Sequence, residues 1–296
     1  MISKFKNIQF IKILIVGILP CLNALFWLGF ISNGLFAMYS MHFICMILVP
    51  TFCYGFKFLR SNLSDVIEYG KNFDIMKCIY ICFFTSASGT ACLFLLLEVS
   101  KIIPAFDLLK IEGIRDGLIK EGIIKDPKDG LSFFIWFSSI YFSIVNPIIE
   151  ELFWRSFVYK ELTMSLRIQN ESNLRSNYII NEIRDNYSDF LMARDHSNYL
   201  IEKCQDIESG QINYKENTEL ASIISSALYS LYHFFVLIHF TSITFSALST
   251  VSLAIAGRML LYVSRKLDII YSIYIHIGMD ISIVLFLMLS LKERKI

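Results

Sequence analysis

Hydrophobic positions along this chain form long unbroken runs, not faces. From Ile13 to Phe56 there is no Asp, Glu, Lys or Arg over 44 residues, and from Ala221 to Gly257 none over 37. About 20 apolar residues are enough for one helix to cross a bilayer. The pattern predicts an all-α, polytopic helical membrane protein with about seven transmembrane helices, or eight if one further segment crosses. The candidate spans are about 11–32, 34–56, 78–97, 131–149, two within 221–263 divided near Thr241 and Ser242, and 269–291. Segment 102–128 is the uncertain eighth. It mixes charges with apolar residues from Phe106 to Ile123 and carries Gly113, Gly117 and Gly122, which reads as an interfacial amphipathic helix or loop.

Composition sharpens this. The chain is 55% hydrophobic and 18% charged, with a mean hydropathy of +0.55, against about 25% charged in soluble domains. Its net charge of +1 offers no field to hold nucleic acid, so no nucleic-acid partner is expected. The seven cysteines lie mostly inside apolar runs and read as small hydrophobes. Cys78 and Cys82 are four apart without a second pair, so neither a disulfide nor a zinc framework is expected.

Lysines at 4, 6 and 12 precede the first run, which reads as a retained anchor helix. The loop after the second span carries Lys57, Arg60, Lys71 and Lys77, and Arg265 and Lys266 precede the last span. The bias of short basic loops predicts a multi-pass cell-membrane protein with a cytoplasmic N-terminus. Seven spans leave Lys292, Arg294 and Lys295 on the opposite side, against that bias. Residues 163–220 hold six Arg or Lys and ten Asp or Glu and no spanning run. They read as a polar cytoplasmic insertion. Ile179, Ile180, Ile183, Tyr187, Phe190 and Leu191 recur there at helical spacing, a stripe for packing on the membrane part or on a regulator; a partly disordered polar loop explains the segment equally well. The organisation expected is 1–130 as N-terminal helices and interfacial segment, 131–291 as a catalytic membrane core, and 163–220 as an insertion within it.

The informative residues are the ionisable ones inside spans, each costing about 2.5–3.5 kcal/mol at a helix centre. In Asn146-Pro-Ile-Ile-Glu150-Glu151-Leu-Phe-Trp-Arg155, Glu151 and Arg155 are four apart and share a helical face, while Glu150 points about 100° away. That leaves Glu150 free to act as a general base, although an ordinary polar end of a span explains the pair as well. In Tyr229-Ser-Leu-Tyr232-His233, His233 sits in mid-span, where an interhelical hydrogen bond is the bland explanation. His276 and Asp280 are four apart and the only ionisable groups between Asp268 and Lys292. Packing alone explains such a pair poorly, and Gly278 between them allows a close approach. His42, His196 and His239 call for nothing beyond hydrogen bonding.

Glu-Glu-x-x-x-Arg, then aromatic-x-x-x-His, then His-x-x-x-Asp, each on its own span, resembles the type II CAAX prenyl endopeptidases and the wider CAAX protease and bacteriocin-processing (CPBP, or Abi) family. Ala256-Gly257-Arg258 and Ser272-Ile273-Tyr274-Ile275-His276 also look familial. The resemblance covers about 131–291 without the insertion. It implies hydrolysis of a peptide bond, in a membrane-associated protein or peptide, within the bilayer. Glu150 would match the general base, acting on water together with His233. Glu151 and Arg155 would match an orienting pair, and His276 and Asp280 the oxyanion-stabilising groups. Two features depart from the family: Asp280 stands where Asn is typical, and about 58 polar residues separate the first two motifs. Zinc on Glu150, His233 and His276 is the alternative chemistry, but the HExxH spacing is absent and a glutamate-activated water needs no metal. A non-catalytic membrane scaffold or bacteriocin-immunity protein on the same fold is the competing function. A proton-coupled transporter ranks behind it, because no internal repeat is visible.

Overall fold

The structure is a computed structural model. It describes residues 2–55, 58, 74–102, 111–124, 133–168 and 197–292. No strand occurs among them, as expected of an all-α membrane protein. The elements in chain order are α1 (Ile2–Phe26), α2 (Gly34–Ser40), α3 (Val49–Tyr54), α4 (Ile75–Ile102), α5 (Ile111–Lys120), α6 (Phe133–Ile140), α7 (Asn146–Glu151), α8 (159–168), α9 (Ser197–Leu237), α10 (Ile243–Lys266) and α11 (Ile269–Lys292). Among the described residues, four π-helical segments join or extend them: Trp27–Ile31, Met41–Leu48, Tyr141–Val145 and Leu152–Val158. Pro50 and Pro147 each open an α-helix just after one. Proline has no N–H for the preceding turn, and the wider π turn takes up the mismatch.

The chain divides into two compact units. One comprises Met1–Ile15 and Tyr159–Ile224, the other Val16–Val158 and Ser225–Ile296. In the first, Leu162, Leu166 and Ala221 are buried, and Gln9 Nε2 donates to Glu161 Oε2 at 3.4 Å. The second unit holds His42, Glu150, Glu151, Arg155, His233, His239, His276 and Asp280.

Within the second unit, the turns without basic residues converge at one end. Gly34 N donates to Glu121 O at 2.9 Å. A Cβ on Gly117 would lie 2.8 Å from His239 O, so α5 presses directly on the turn after α9. Ile111 and Ile114 of α5 pack with Leu93, Phe94 and Leu97 of α4 and with Phe286, Leu287 and Leu291 of α11. At ten residues α5 is far too short to cross, which removes the eighth span. It caps the end where α4 and α11 finish.

Among the described residues, six helices are long and apolar enough to cross a membrane: Ile8–Ile31, Gly34–Tyr54, Ile75–Ile102, Asn217–Leu237, Ile243–Lys266 and Ile269–Leu291. The helical course 133–168 is not among them; Asn146, Glu150, Glu151 and Arg155 interrupt its apolar run. Ser138 Oγ meets Tyr39 Oη at 3.5 Å, near the α5 end, and Phe157 packs edge-on against Tyr54 and Phe58 at the other. Up to Val158 this course therefore runs parallel to Gly34–Tyr54; where about seven spans were expected, six are long and apolar enough among the described residues. The polar insertion is described only in part. From Ser197 onward it belongs to the 41-residue α9, Ser197–Leu237. The stripe from Ile179 to Leu191 and His196 lie outside the described residues.

α4 leans on α11 through small residues. A Cβ on Gly278 would strike Thr85 Oγ1 and approach Cys82 O at 2.7 Å, and one on Gly89 would come 2.6 Å from Ser282 Oγ. Backbones approach this closely in membranes where side chains are minimal.

Candidate active site

Three parts of the second unit build one buried polar cluster: α7 with the π segment after it, the end of α9, and the middle of α11. Glu150, Glu151, Arg155, Tyr229, Tyr232, His276 and Asp280 are all buried. Trp154 anchors the first two parts. Its carbonyl accepts from Ser225 Oγ at 3.1 Å, and its ring stacks on Tyr232, 6.2 Å away and 6° from parallel.

The two adjacent glutamates differ as their helical angles predict. Glu151 is surrounded by donors. Arg155 Nη2 lies 3.4 Å from its Oε1, His276 Nδ1 is 2.9 Å from the same oxygen, and Ser272 Oγ donates to Oε2. The guanidinium of Arg155 also sits over the Tyr229 ring, 4.4 Å from its centroid, a favourable cation–π placement. Glu150 accepts from the Tyr232 hydroxyl through Oε1. Its Oε2 has no hydrogen-bond partner and lies 3.7 Å from His276 Nε2.

His276 is the hub. Its Nδ1 meets a carboxylate, which only accepts, so this nitrogen carries the proton. Its Nε2 faces Glu150 Oε2 and, at 3.9 Å, Asp280 Oδ1. The expected His276–Asp280 pair thus faces across a gap, and Asp280 takes its short hydrogen bond from Asn146 Nδ2, at 2.8 Å. His233 packs between Tyr229 and Tyr232, with ring centroids 4.6 and 4.0 Å away. Its Nδ1–H donates to Tyr229 O at 2.8 Å, which fixes the tautomer and leaves Nε2 as an acceptor. The ring is thus tied through Nδ1 to its own helix, one residue from the Tyr232 that holds Glu150.

No group of three or more His, Cys, Asp and Glu among the described residues is placed to hold a metal ion. Glu150, His233 and His276 therefore do not stand together as a three-ligand set for zinc. Asn146, Tyr232 and Ser272 carry contacts to which the sequence reading gave no role. Their signal was spacing, since Asn146 stands four before Glu150 and Ser272 four before His276. His42, read as bland, is buried with Nδ1 3.0 Å from the Tyr141 hydroxyl.

A family model described as type II CAAX prenyl endopeptidase Rce1-like matches residues 132–282, just over half of the chain. No curated protein and no solved structure matches.

Proposed function

From the premise that this chain belongs to the Rce1-like type II CAAX prenyl endopeptidase family, we propose that it is an intramembrane endopeptidase in which Glu150 activates water without a metal. The observation that carries the reading is the asymmetry of the two glutamates. Glu151 is compensated on both oxygens, while Glu150 keeps one oxygen without a hydrogen bond opposite His276 Nε2.

The chemistry follows from these placements. A water between Glu150 Oε2 and His233 Nε2 gives a proton to Glu150 as its oxygen attacks the scissile carbonyl carbon. The carbonyl π pair moves onto oxygen. His276 supplies the facing N–H and, held by Glu151 and Asp280, offers positive charge to that oxyanion. Collapse of the tetrahedral intermediate breaks the C–N bond, and the proton on Glu150 passes to the departing amine. Donors fixed before reaction in a water-poor site are worth far more than in solvent. The substrate is a membrane-associated protein or peptide; a prenylated cysteine peptide is the reporter that the family's description supplies. In this reading 131–291 is the catalytic core, the N-terminus faces the cytoplasm, and the 163–220 insertion is where a regulator would act.

Full-length protein in nanodiscs is incubated with a quenched fluorescent peptide bearing a farnesylated cysteine before a C-terminal tripeptide. Glu150→Gln is used in parallel to trap bound membrane proteins for re-testing with wild type. Cleavage by wild type and its loss in Glu150→Gln support the reading. Full biological activity in Glu150→Gln favours the non-catalytic scaffold instead.

A further inference from the structure

The three buried carboxylates of the cluster share one arrangement. Each has one oxygen held by a neutral donor and the other turned to His276. Tyr232 holds Glu150 Oε1, Ser272 holds Glu151 Oε2, and Asn146 holds Asp280 Oδ2. The opposite oxygens face the imidazole: Glu151 Oε1 at Nδ1, and Glu150 Oε2 and Asp280 Oδ1 at Nε2.

The two edges of the ring are not alike. At Nδ1 the contact is a closed hydrogen bond of 2.9 Å. At Nε2 the two carboxylates stop at 3.7 and 3.9 Å, too far for a hydrogen bond. Carboxylates rotate easily about their last bond, and a facing N–H draws them in. Something must hold these two back, and the Tyr232 hydroxyl and the Asn146 amide are the groups bonded to their far oxygens. Both donors come from outside α11.

We infer that Tyr232 and Asn146 are positioning residues, which restrain Glu150 and Asp280 and keep the Nε2 edge of His276 open for the reacting water and oxyanion. This rests on the proteolytic reading above. Without Tyr232, Glu150 closes on His276 and the base is consumed in an internal ion pair. Without Asn146, Asp280 does the same and occupies the oxyanion position.

The reading specifies which kinetic constant moves. Both groups act through the carboxylates that they hold, so losing either lowers kcat and leaves KM nearly unchanged. One lost hydrogen bond to a charged group corresponds to about tenfold to a hundredfold. Tyr232→Phe keeps the ring that stacks on Trp154 and so preserves packing. Asn146→Asp sets two carboxylates face to face and is the worst single change. Adding Asp280→Asn to it rebuilds the same hydrogen bond with donor and acceptor exchanged.

The test is steady-state cleavage of the farnesylated reporter by full-length protein in nanodiscs, with the thermal midpoint of each variant alongside. Expected are a fall in kcat of about tenfold or more for Tyr232→Phe at unchanged KM and midpoint, and partial recovery of kcat in Asn146→Asp/Asp280→Asn over Asn146→Asp alone. If wild type cleaves and Tyr232→Phe matches it, or the exchanged pair is no better than Asn146→Asp, this inference fails and the proteolytic reading stands. If wild type cleaves neither the reporter nor any protein trapped by Glu150→Gln, both fail together.

Discussion

Gly278 lies between His276 and Asp280 but points the other way, into α4. An alanine there meets two opposed effects. In a helix interior, replacing glycine by alanine stabilises by about 0.5–1 kcal/mol, because glycine has more backbone freedom to lose. Against this, the new methyl group would sit 2.7 Å from Cys82 O and 2.9 Å from Thr85 Cβ. A carbon–oxygen contact settles at roughly 3.3–3.6 Å, so the backbone contact alone requires the two helices to part by at least about 0.6 Å. The obstacle cannot swing aside. Cys82 O is backbone, and the Thr85 hydroxyl is tied to Ile81 O and Cys82 O at 2.8 and 3.0 Å. Overpacking of this kind costs about 1–3 kcal/mol, so Gly278→Ala is expected to be net destabilising. Because α11 carries His276 and Asp280 on the opposite face, the displacement also moves the reacting edge. Misplacement approaching 1 Å costs about a hundredfold in rate, so a loss of tenfold or more is expected. Gly29→Ala is the reference, since its Cβ would meet only Leu25 Cδ1 at 3.9 Å and His239 Cε1 at 4.0 Å. The assays are the thermal midpoint in detergent and cleavage of the farnesylated reporter. A Gly278→Ala variant as stable and active as Gly29→Ala refutes the reasoning.

Other outcomes follow from the same contacts. Arg155→Ala strips Glu151 of its guanidinium partner and is expected to cost about 3–5 kcal/mol, as for other broken buried pairs, read as loss of folded yield and midpoint. His276→Ala removes the donor facing the oxyanion and is expected to lower kcat by about a hundredfold to a thousandfold. Because no metal set is formed, activity is expected to survive dialysis against EDTA and 1,10-phenanthroline; loss restored by zinc would overturn the metal-free step. Glu121, beyond the spans, has its proton affinity pushed up from the ordinary 4.5 by burial, against the pull of Lys120. A carboxyl that binds its proton more tightly when folded stabilises the fold while protonated, and that contribution is lost as pH rises above 4.5 through the folded value. Glu121→Gln is therefore expected to flatten the decline of the midpoint over that range, measured across a pH series.

What could be read without coordinates was chemistry at fixed spacing. Glu151 and Arg155 met as four-apart partners do, and Glu150 diverged from them as its helical angle requires. The uncharged turn near Thr241 and Ser242 was visible because turn residues interrupt an apolar run. The π segments were not visible, since their cause is the fit of a whole helix around Pro147 and Pro50 rather than a local preference. Nor was the partner choice of His276. It has Asp280 four residues away, yet its short bond reaches Glu151 from another helix, because three converging helices decide which acceptor lies nearest. Asn146 escaped for the same reason, as its amide matters only once Asp280 arrives, 134 residues later.

That separation bears on how the protein is made. Glu150 and Glu151 are synthesised well over a hundred residues ahead of Ser272 and His276, the groups that answer them. Until α11 arrives, the nascent helix around them holds two acidic groups and a single arginine in a segment bound for lipid. α11 is thus the closing piece of this cluster, the one that answers its buried acidic groups. A chain stopped before Ile269 lacks it, and such a product is a substrate for quality control and not a smaller enzyme.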